Sequence, residues 1–246
     1  MDKKIRIGAV SYLNTKPLLY GLENSSLNEQ IQLSLDYPAA IARGLMSGKL
    51  DIGLVPVAII PQMEEYHLVS DYCIGCNGPV ASVCIFSDVP LEETETIILD
   101  YQSRSSVALT RILLAHYWKL KPELEDASGD EFIHRIRNKK AGLVIGDRAL
   151  QLRQNARYIY DLGEAWKDFT GLGFVFATWI SNKKIDPSFL DTFNKINGIG
   201  LNMIPEIIRL NPYPHFNLED YYTKNMSYLL DDNKRSGMKK FLELLP

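Results

Sequence analysis

Histidine and cysteine are scarce in this chain, four and three residues respectively among 246. His67, His116, His134 and His215 are widely separated, and no second cysteine pair accompanies Cys73 and Cys76, so no zinc spacing is complete. The thiols of Cys73, Cys76 and Cys84 read as small buried apolar groups in a reducing compartment. Phosphate-loop, Gly-x-Ser-x-Gly and His-Glu-x-x-His motifs are all missing, and Gly8-Ala-Val-Ser11 makes no dinucleotide fingerprint. Metal, nucleophilic and nucleotide chemistry therefore find no support, and neither a metal nor a cofactor is expected.

Positive charge is not in excess either. The 27 basic and 30 acidic residues give a net charge of −3, which leaves no electrostatic footprint for nucleic acid. The short basic cluster at 135–140 falls in a helical pattern and reads as a solvated face. No apolar run approaches the ~18 residues that would span a bilayer. The first residues, Met-Asp-Lys-Lys-Ile-Arg-Ile-Gly, enter a strand without the apolar core of a signal peptide. The expectation is a cytoplasmic monomer or homodimer, with no membrane or nucleic-acid partner.

What the chain does contain is an α/β pattern, with 46% hydrophobic residues to build a core. Strands are expected at 5–10, 31–36, 52–57, 80–86, 96–100, 142–145, 158–161 and 174–180. Helical patterns fall at 17–22, 38–47, 105–120, 130–138, 187–210, 218–230 and 238–244. Two extended apolar segments, Gly78-Pro-Val-Ala-Ser-Val-Cys-Ile-Phe-Ser87 and Gly171-Leu-Gly-Phe-Val-Phe-Ala-Thr-Trp-Ile-Ser181, each open on glycine. They bracket enough strand–helix alternation for a separate small core. The arrangement expected is a discontinuous lobe of 1–87 plus 180–246, with 88–179 inserted as a second lobe. The two segments would then be crossing hinge strands, with a ligand cleft between the lobes.

Polar residues crowd the corners where strands give way to helices, which is where open α/β sheets bind ligands. The first corner holds Ser11, Tyr12, Asn14 and Thr15, and helix capping accounts for only one of them. The second holds Ser103, Arg104, Ser105 and Ser106 ahead of an amphipathic helix whose N-terminus favours an anion such as a carboxylate. The third pairs Gly146 with Asp147, a helix N-cap as well as a candidate contact. The fourth places Thr170 and Gly171 before the second extended segment. Ser82 lies on the first segment, either bonded to backbone or facing the cleft floor. Trp166 and Trp179 read as packing.

In this order, these corners resemble the chorismate dehydratase family of the futalosine route to menaquinone. The matching pieces are Gly8-Ala-Val-Ser-Tyr-Leu-Asn-Thr-Lys-Pro-Leu18, Leu50-Asp-Ile-Gly-Leu-Val-Pro56, Gly78-Pro-Val-Ala-Ser-Val83, Leu99-Asp-Tyr-Gln-Ser-Arg-Ser-Ser106 and Ile145-Gly-Asp147. Asp161-Leu-Gly-Glu-Ala-Trp166 and Thr170-Gly-Leu-Gly-Phe-Val-Phe-Ala-Thr-Trp179 complete them. Beyond residue 180 the match is loose, and Gly173 stands where the family commonly has proline, a change expected to loosen the hinge.

The resemblance implies a type II periplasmic-binding-protein-like fold used as a hydro-lyase without cofactor. Its substrate would be the dicarboxylate chorismate and its product 3-[(1-carboxyvinyl)oxy]benzoate. Asn14 and Ser82 would then lie at the reacting ring, with Ser103, Arg104, Ser105 and Ser106 around a carboxylate. Ser11, Tyr12, Thr15, Gly146, Asp147, Thr170 and Gly171 would complete the substrate contacts. The proton would go to the substrate's own enolpyruvyl carboxylate. Two other readings stay open: a solute-binding protein for a small carboxylate, and the sister enzyme 1,4-dihydroxy-6-naphthoate synthase. The sister family carries a Ser-Pro-Cys-Pro-Asn-Asp-type corner where this chain has Ser-Tyr-Leu-Asn-Thr15. An effector lobe of a transcription regulator is disfavoured, because no helix-turn-helix pattern precedes the first strand.

Overall fold

The computed structural model describes residues 4–245. Two mixed five-stranded sheets organise the chain. The first has β1 (Ile5–Val10), β2 (Ile31–Asp36), β3 (Ile52–Pro56), β4 (His67–Cys76) and, from far along the sequence, β10 (Phe174–Ser181), in the order β2-β1-β3-β10-β4. The second has β5 (Val83–Ser87), β6 (Thr96–Leu99), β7 (Glu123–Asp126), β8 (Lys140–Ile145) and β9 (Tyr158–Asp161), in the order β7-β6-β8-β5-β9. Each sheet has three parallel strands followed by one that runs antiparallel to both of its neighbours, β10 in the first and β5 in the second.

The strands at the centres of these sheets are continuous apolar runs because both faces are covered. Every residue of β3 and β5 is buried, as are the last five of β8. Helices α1 (Lys16–Glu23), α2 (Pro38–Met46), α6 (Pro187–Ile199), α7 (Ile204–Leu210) and α9 (Asp232–Glu243) pack around the first sheet and its approaches. Helices α3 (Ser105–Leu113), α4 (Asp147–Leu152) and α5 (Leu162–Thr170) belong with the second. Between α7 and α9 a single turn, α8 (Leu218–Asp220), runs into a π-helical turn at Tyr221–Asn225.

The chain leaves the first sheet after Cys76, enters the second at Val83, and returns between α5 and β10. The segment 78–87 is thus not one crossing strand. It splits into a bent connector and β5, which pairs only within the second sheet, whereas β10 pairs wholly within the first. The departing and returning segments lie side by side, with Phe174 opposite Cys76 in antiparallel register. Gly173 is firmly held there. Its N–H donates to Asn233 Oδ1 at 2.6 Å, a bond proline could not make.

Two strands escape the sequence pattern. β4 carries His67, Ser70 and Asp71 among its apolar residues, and the tail and α6 complete it: Asn194 Oδ1 accepts from the Ser70 hydroxyl and the Asp71 N–H. β7, Glu-Leu-Glu-Asp, is an edge strand whose charges suit its exposure. The expected helix at 105–120 ends its α-helical part at Leu113 and widens into a π turn that stops at Lys119, φ +56°. The segment 130–138 makes only a 3₁₀ stretch, and the long pattern at 187–210 divides into α6 and α7. The final helix starts at Asp232, because Asp231 caps it through the Lys234 N–H.

Candidate active site

The carboxyl ends of β1, β3, β6 and β8 face one another across the junction of the two sheets, so the corners following them meet. They enclose a cavity of about 50 Å3 lined by Tyr12 and Asn14 from the first sheet's side and Ser82, Ser103 and Ser106 from the second. Val10, Leu54, Ile74, Val80, Ile145 and Phe176 supply its apolar walls. That volume is well below the roughly 300–1,000 Å3 of a small-ligand pocket, so the two sides are packed close together here.

Several bonds join the two sides. The Leu13 N–H donates to Asp147 Oδ1 at 3.1 Å, the Ala58 N–H to Ser105 Oγ at 3.2 Å, and the Tyr213 hydroxyl to the Asp147 carbonyl at 2.6 Å. The Tyr12 hydroxyl donates to Gln102 Oε1 across the same gap. Burial raises the Asp147 carboxyl above its ordinary range, against the opposing pull of the Leu13 N–H, Lys16 and Arg148. Gly146 is constrained twice, by φ of +65° and by the Tyr12 ring, 3.3 Å from where a Cβ would sit.

Ser82 is presented by an unusual turn. Ala81 has φ +63°, and the Ser82 N–H donates back to the Val80 carbonyl at 2.7 Å, closing a γ-turn. The carboxylate of Asp161 holds the turn, with Oδ1 accepting from the Val80 N–H at 3.0 Å and Oδ2 from the Ala81 N–H at 2.7 Å. The same carboxylate caps α5 through the N–H groups of Gly163 and Glu164. Gly163 is obligatory at this junction, since a Cβ would lie 2.5 Å from the Gly78 carbonyl oxygen.

On the opposite wall, Ser103 Oγ accepts the Ser106 N–H at 3.1 Å and caps the first turn of α3. Asp100 braces the loop ahead of it: its carboxylate accepts from the Gln102 and Ile145 N–H groups and pairs with Arg148 at 2.7 Å. Burial nonetheless holds the Asp100 carboxyl above its ordinary range. Among the described residues, the side chains lining the cavity carry hydroxyl, amide and apolar groups, and none is a carboxylate, lysine or histidine.

Of the residues singled out by sequence, Tyr12, Asn14, Ser82, Ser103 and Ser106 converge on this cavity, and the others lie around it. Thr15 is buried behind Asn14 and donates to its Oδ1 at 3.1 Å. Ser105 and Asp147 bond across the lobes, while Ser11 is exposed. Arg104 lines not the cavity but an outer groove of about 630 Å3, which also takes in Arg111 and shares Ser103 with the cavity. Its guanidinium meets Gln62 Oε1 of the other lobe at 3.4 Å. Thr170 and Gly171 form the end of α5 and are not part of the lining: the Thr170 hydroxyl donates back to the Trp166 carbonyl, and Gly171 takes the left-handed C-terminal position at φ +73°.

Sequence reasoning missed the tyrosines of the tail. The Tyr221 hydroxyl reaches Ser82 Oγ at 2.8 Å, that of Tyr222 the Leu13 carbonyl at 3.1 Å, and that of Tyr228 the Asn14 carbonyl at 2.9 Å. All three are buried. The available signal was a cluster of tyrosines in the segment 221–228, inside a stretch that reads as a helical pattern and so suggests packing rather than contact with the site. The thiols are packing groups, as expected, with Cys73 and Cys76 pushed up to about 12 by burial.

Among curated relatives, a chorismate dehydratase of Thermus thermophilus is 26% identical over 264 residues, covering 97% of this chain and 94% of its own. A chorismate dehydratase of Campylobacter jejuni is 23% identical over 252 residues, covering 96% and 95%. Solved structures with the same fold include a protein from Archaeoglobus fulgidus (TM-score 0.72, 12% identity, 98% and 96% covered). Another is a Candida albicans protein described as having the generic periplasmic binding protein fold (TM-score 0.64, 13% identity, 98% and 90% covered). The periplasmic aliphatic sulphonate binding protein of Escherichia coli also matches (TM-score 0.61, 12% identity, 99% and 87% covered). The expected periplasmic-binding-protein-like fold is borne out. The pattern of the menaquinone biosynthesis family runs from residue 5 to residue 246, and the chain belongs to that family.

Proposed function

We propose that this chain is a chorismate dehydratase that binds its substrate between the lobes and eliminates water to give 3-[(1-carboxyvinyl)oxy]benzoate. The observation that carries the reading is the convergence of Asn14 and Ser82, with Ser103 and Ser106, on one enclosed cavity. The relatives named chorismate dehydratase support it along almost the whole chain.

The chemistry suits such a lining. Removing the proton from the ether-bearing ring carbon pushes electrons into the ring carboxylate, and loss of the ring hydroxyl makes the ring aromatic. Donors aimed at that carboxylate stabilise the transition state more than the ground state. Ser103, Ser106 and the N-terminus of α3 occupy one wall and would receive it. Asn14 and Ser82 would face the departing hydroxyl. With neutral groups lining the cavity, the base is the substrate's own enolpyruvyl carboxylate, folded over the ring. The proton it takes leaves with the hydroxyl as water, so atoms balance without a co-reactant. Closure around the folded substrate supplies the orientation this requires. Arg104, on the outer groove, would draw the dianion in and help the lobes meet at Gln62.

Mixing the protein with chorismate and following formation of the aromatic product by absorbance and chromatography tests the reading. Turnover is expected. Binding without turnover would overturn it in favour of a receptor for small carboxylates.

A further inference from the structure

Tyr221 is entirely buried and does not line the cavity, yet it touches Ser82, one of the groups that carry the proposed chemistry. Its hydroxyl donates to Ser82 Oγ at 2.8 Å, joining the C-terminal tail to the turn of the other lobe. A π-helical turn begins at Tyr221, and both Tyr221 and Tyr222 are buried in it. Burial keeps the Tyr221 phenol well above its ordinary range, so it remains a donor.

A serine hydroxyl has one proton to give and two lone pairs to receive with. Tyr221 occupies a lone pair of Ser82. Among the described residues, the only other partner of Ser82 Oγ is the Val80 carbonyl at 3.5 Å, the far limit of a hydrogen bond, so its hold on the Ser82 proton is weak. We propose that Tyr221 is a positioning residue: by donating to Ser82 it commits the Ser82 proton to the cavity, where it meets the departing hydroxyl of the substrate. This rests on the dehydratase reading. No proton passes between Tyr221 and Ser82 in the reaction. Only the direction of the Ser82 donor is set, before the substrate arrives.

The test is a kinetic cycle on chorismate with Tyr221→Phe, Ser82→Ala and the double variant, with circular dichroism and Tm to verify the fold. Tyr221→Phe is expected to lower kcat about 10- to 100-fold with KM within about threefold. The double variant is expected to be no slower than Ser82→Ala alone, because Tyr221 acts through Ser82. A Tyr221→Phe enzyme with wild-type kcat, or a double variant whose loss is the product of the single losses, overturns the proposal. Placing p-aminophenylalanine at position 221 keeps a neutral donor on the same ring, and kcat should stay within about tenfold of wild type. A loss as large as that of Ser82→Ala overturns the proposal even where Tyr221→Phe does not fold. If the wild-type protein leaves chorismate unchanged, the dehydratase reading falls and this inference with it. Turnover by the wild type with an additive cycle removes the inference alone.

Discussion

Asp161 Oδ2 accepts the Ala81 N–H at 2.7 Å, and Ala81, at φ +63°, is the residue that turns the chain into Ser82. An L-residue in this conformation costs roughly 1–2 kcal/mol, and the carboxylate offsets it. In Asp161→Asn the amide can still accept from Val80 through its oxygen but presents N–H to N–H at Ala81. The expected outcome is a folded protein whose kcat falls at least about 100-fold. Ala81→Gly, which relieves the strain, should keep Tm within a few degrees. Circular dichroism and steady-state kinetics check both, and wild-type kcat in Asp161→Asn would remove the turn from the mechanism.

The elements that could be read from sequence were those whose own residues determine them. β3 and all but the first residue of β8 are buried apolar runs, as are the last four residues of β1, and the serines around the start of α3 form an ordinary helix start. β4 could not be read this way. Its polar residues are satisfied by Asn194, more than a hundred positions further along, and by the tail, where Leu229 bridges to Tyr72. The site divides along the same line. Asn14, Ser82, Ser103 and Ser106 lie in corners that local pattern reveals, whereas Tyr221 reaches Ser82 through a π turn and a long-range contact with no local signature. Arg104 shows the other limit: its place in the motif gives no sign that it lines the outer groove rather than the cavity, which is a matter of packing.

Acid stability should depend on Asp51, at the end of the first sheet remote from the site. Its carboxylate holds the Arg6 guanidinium at 2.8 Å and Lys183 Nζ at 2.6 Å, and also accepts the Arg6 N–H. The Arg6 hydrogen bonds depress the Asp51 carboxyl far below its ordinary value, with Lys183 adding to the effect and burial opposing it. A folded-state pKa lowered in this way stabilises the protein above the unfolded-state value and loses that stabilisation as pH falls through the folded value. Asp51→Asn should therefore cost about 2 kcal/mol near neutrality, and the gap to wild type should close progressively below about pH 4. Urea titrations across pH measure it; a gap independent of pH would rule the pair out as the cause.

Arg104 is half-buried beside Ser103 and meets Gln62 on the other lobe. Removing its charge should weaken capture of a dianion without altering the chemical step. Arg104→Ala is expected to raise KM for chorismate about tenfold or more with kcat within about threefold, and to flatten the dependence of kcat/KM on salt. An unchanged KM would reject this role.

Asn14 is the sharpest test of the cavity. It is only 9% exposed, its carbonyl accepts from the Tyr228 hydroxyl, and its Oδ1 accepts from Thr15, so the side chain is fixed before substrate arrives. Asn14→Ala leaves the backbone in place and removes the amide that the proposed function sets against the departing hydroxyl, together with its bond from Thr15. A fall in kcat of about 100-fold with little change in KM is expected. Asn14→Asp keeps the shape but sets a carboxylate beside a dianion. Two like charges 4 Å apart repel by about 4 kcal/mol at an effective dielectric constant of 20, so KM should rise steeply as well. The difference between the two variants in KM separates charge from positioning. Full turnover in both would exclude Asn14 from the reaction.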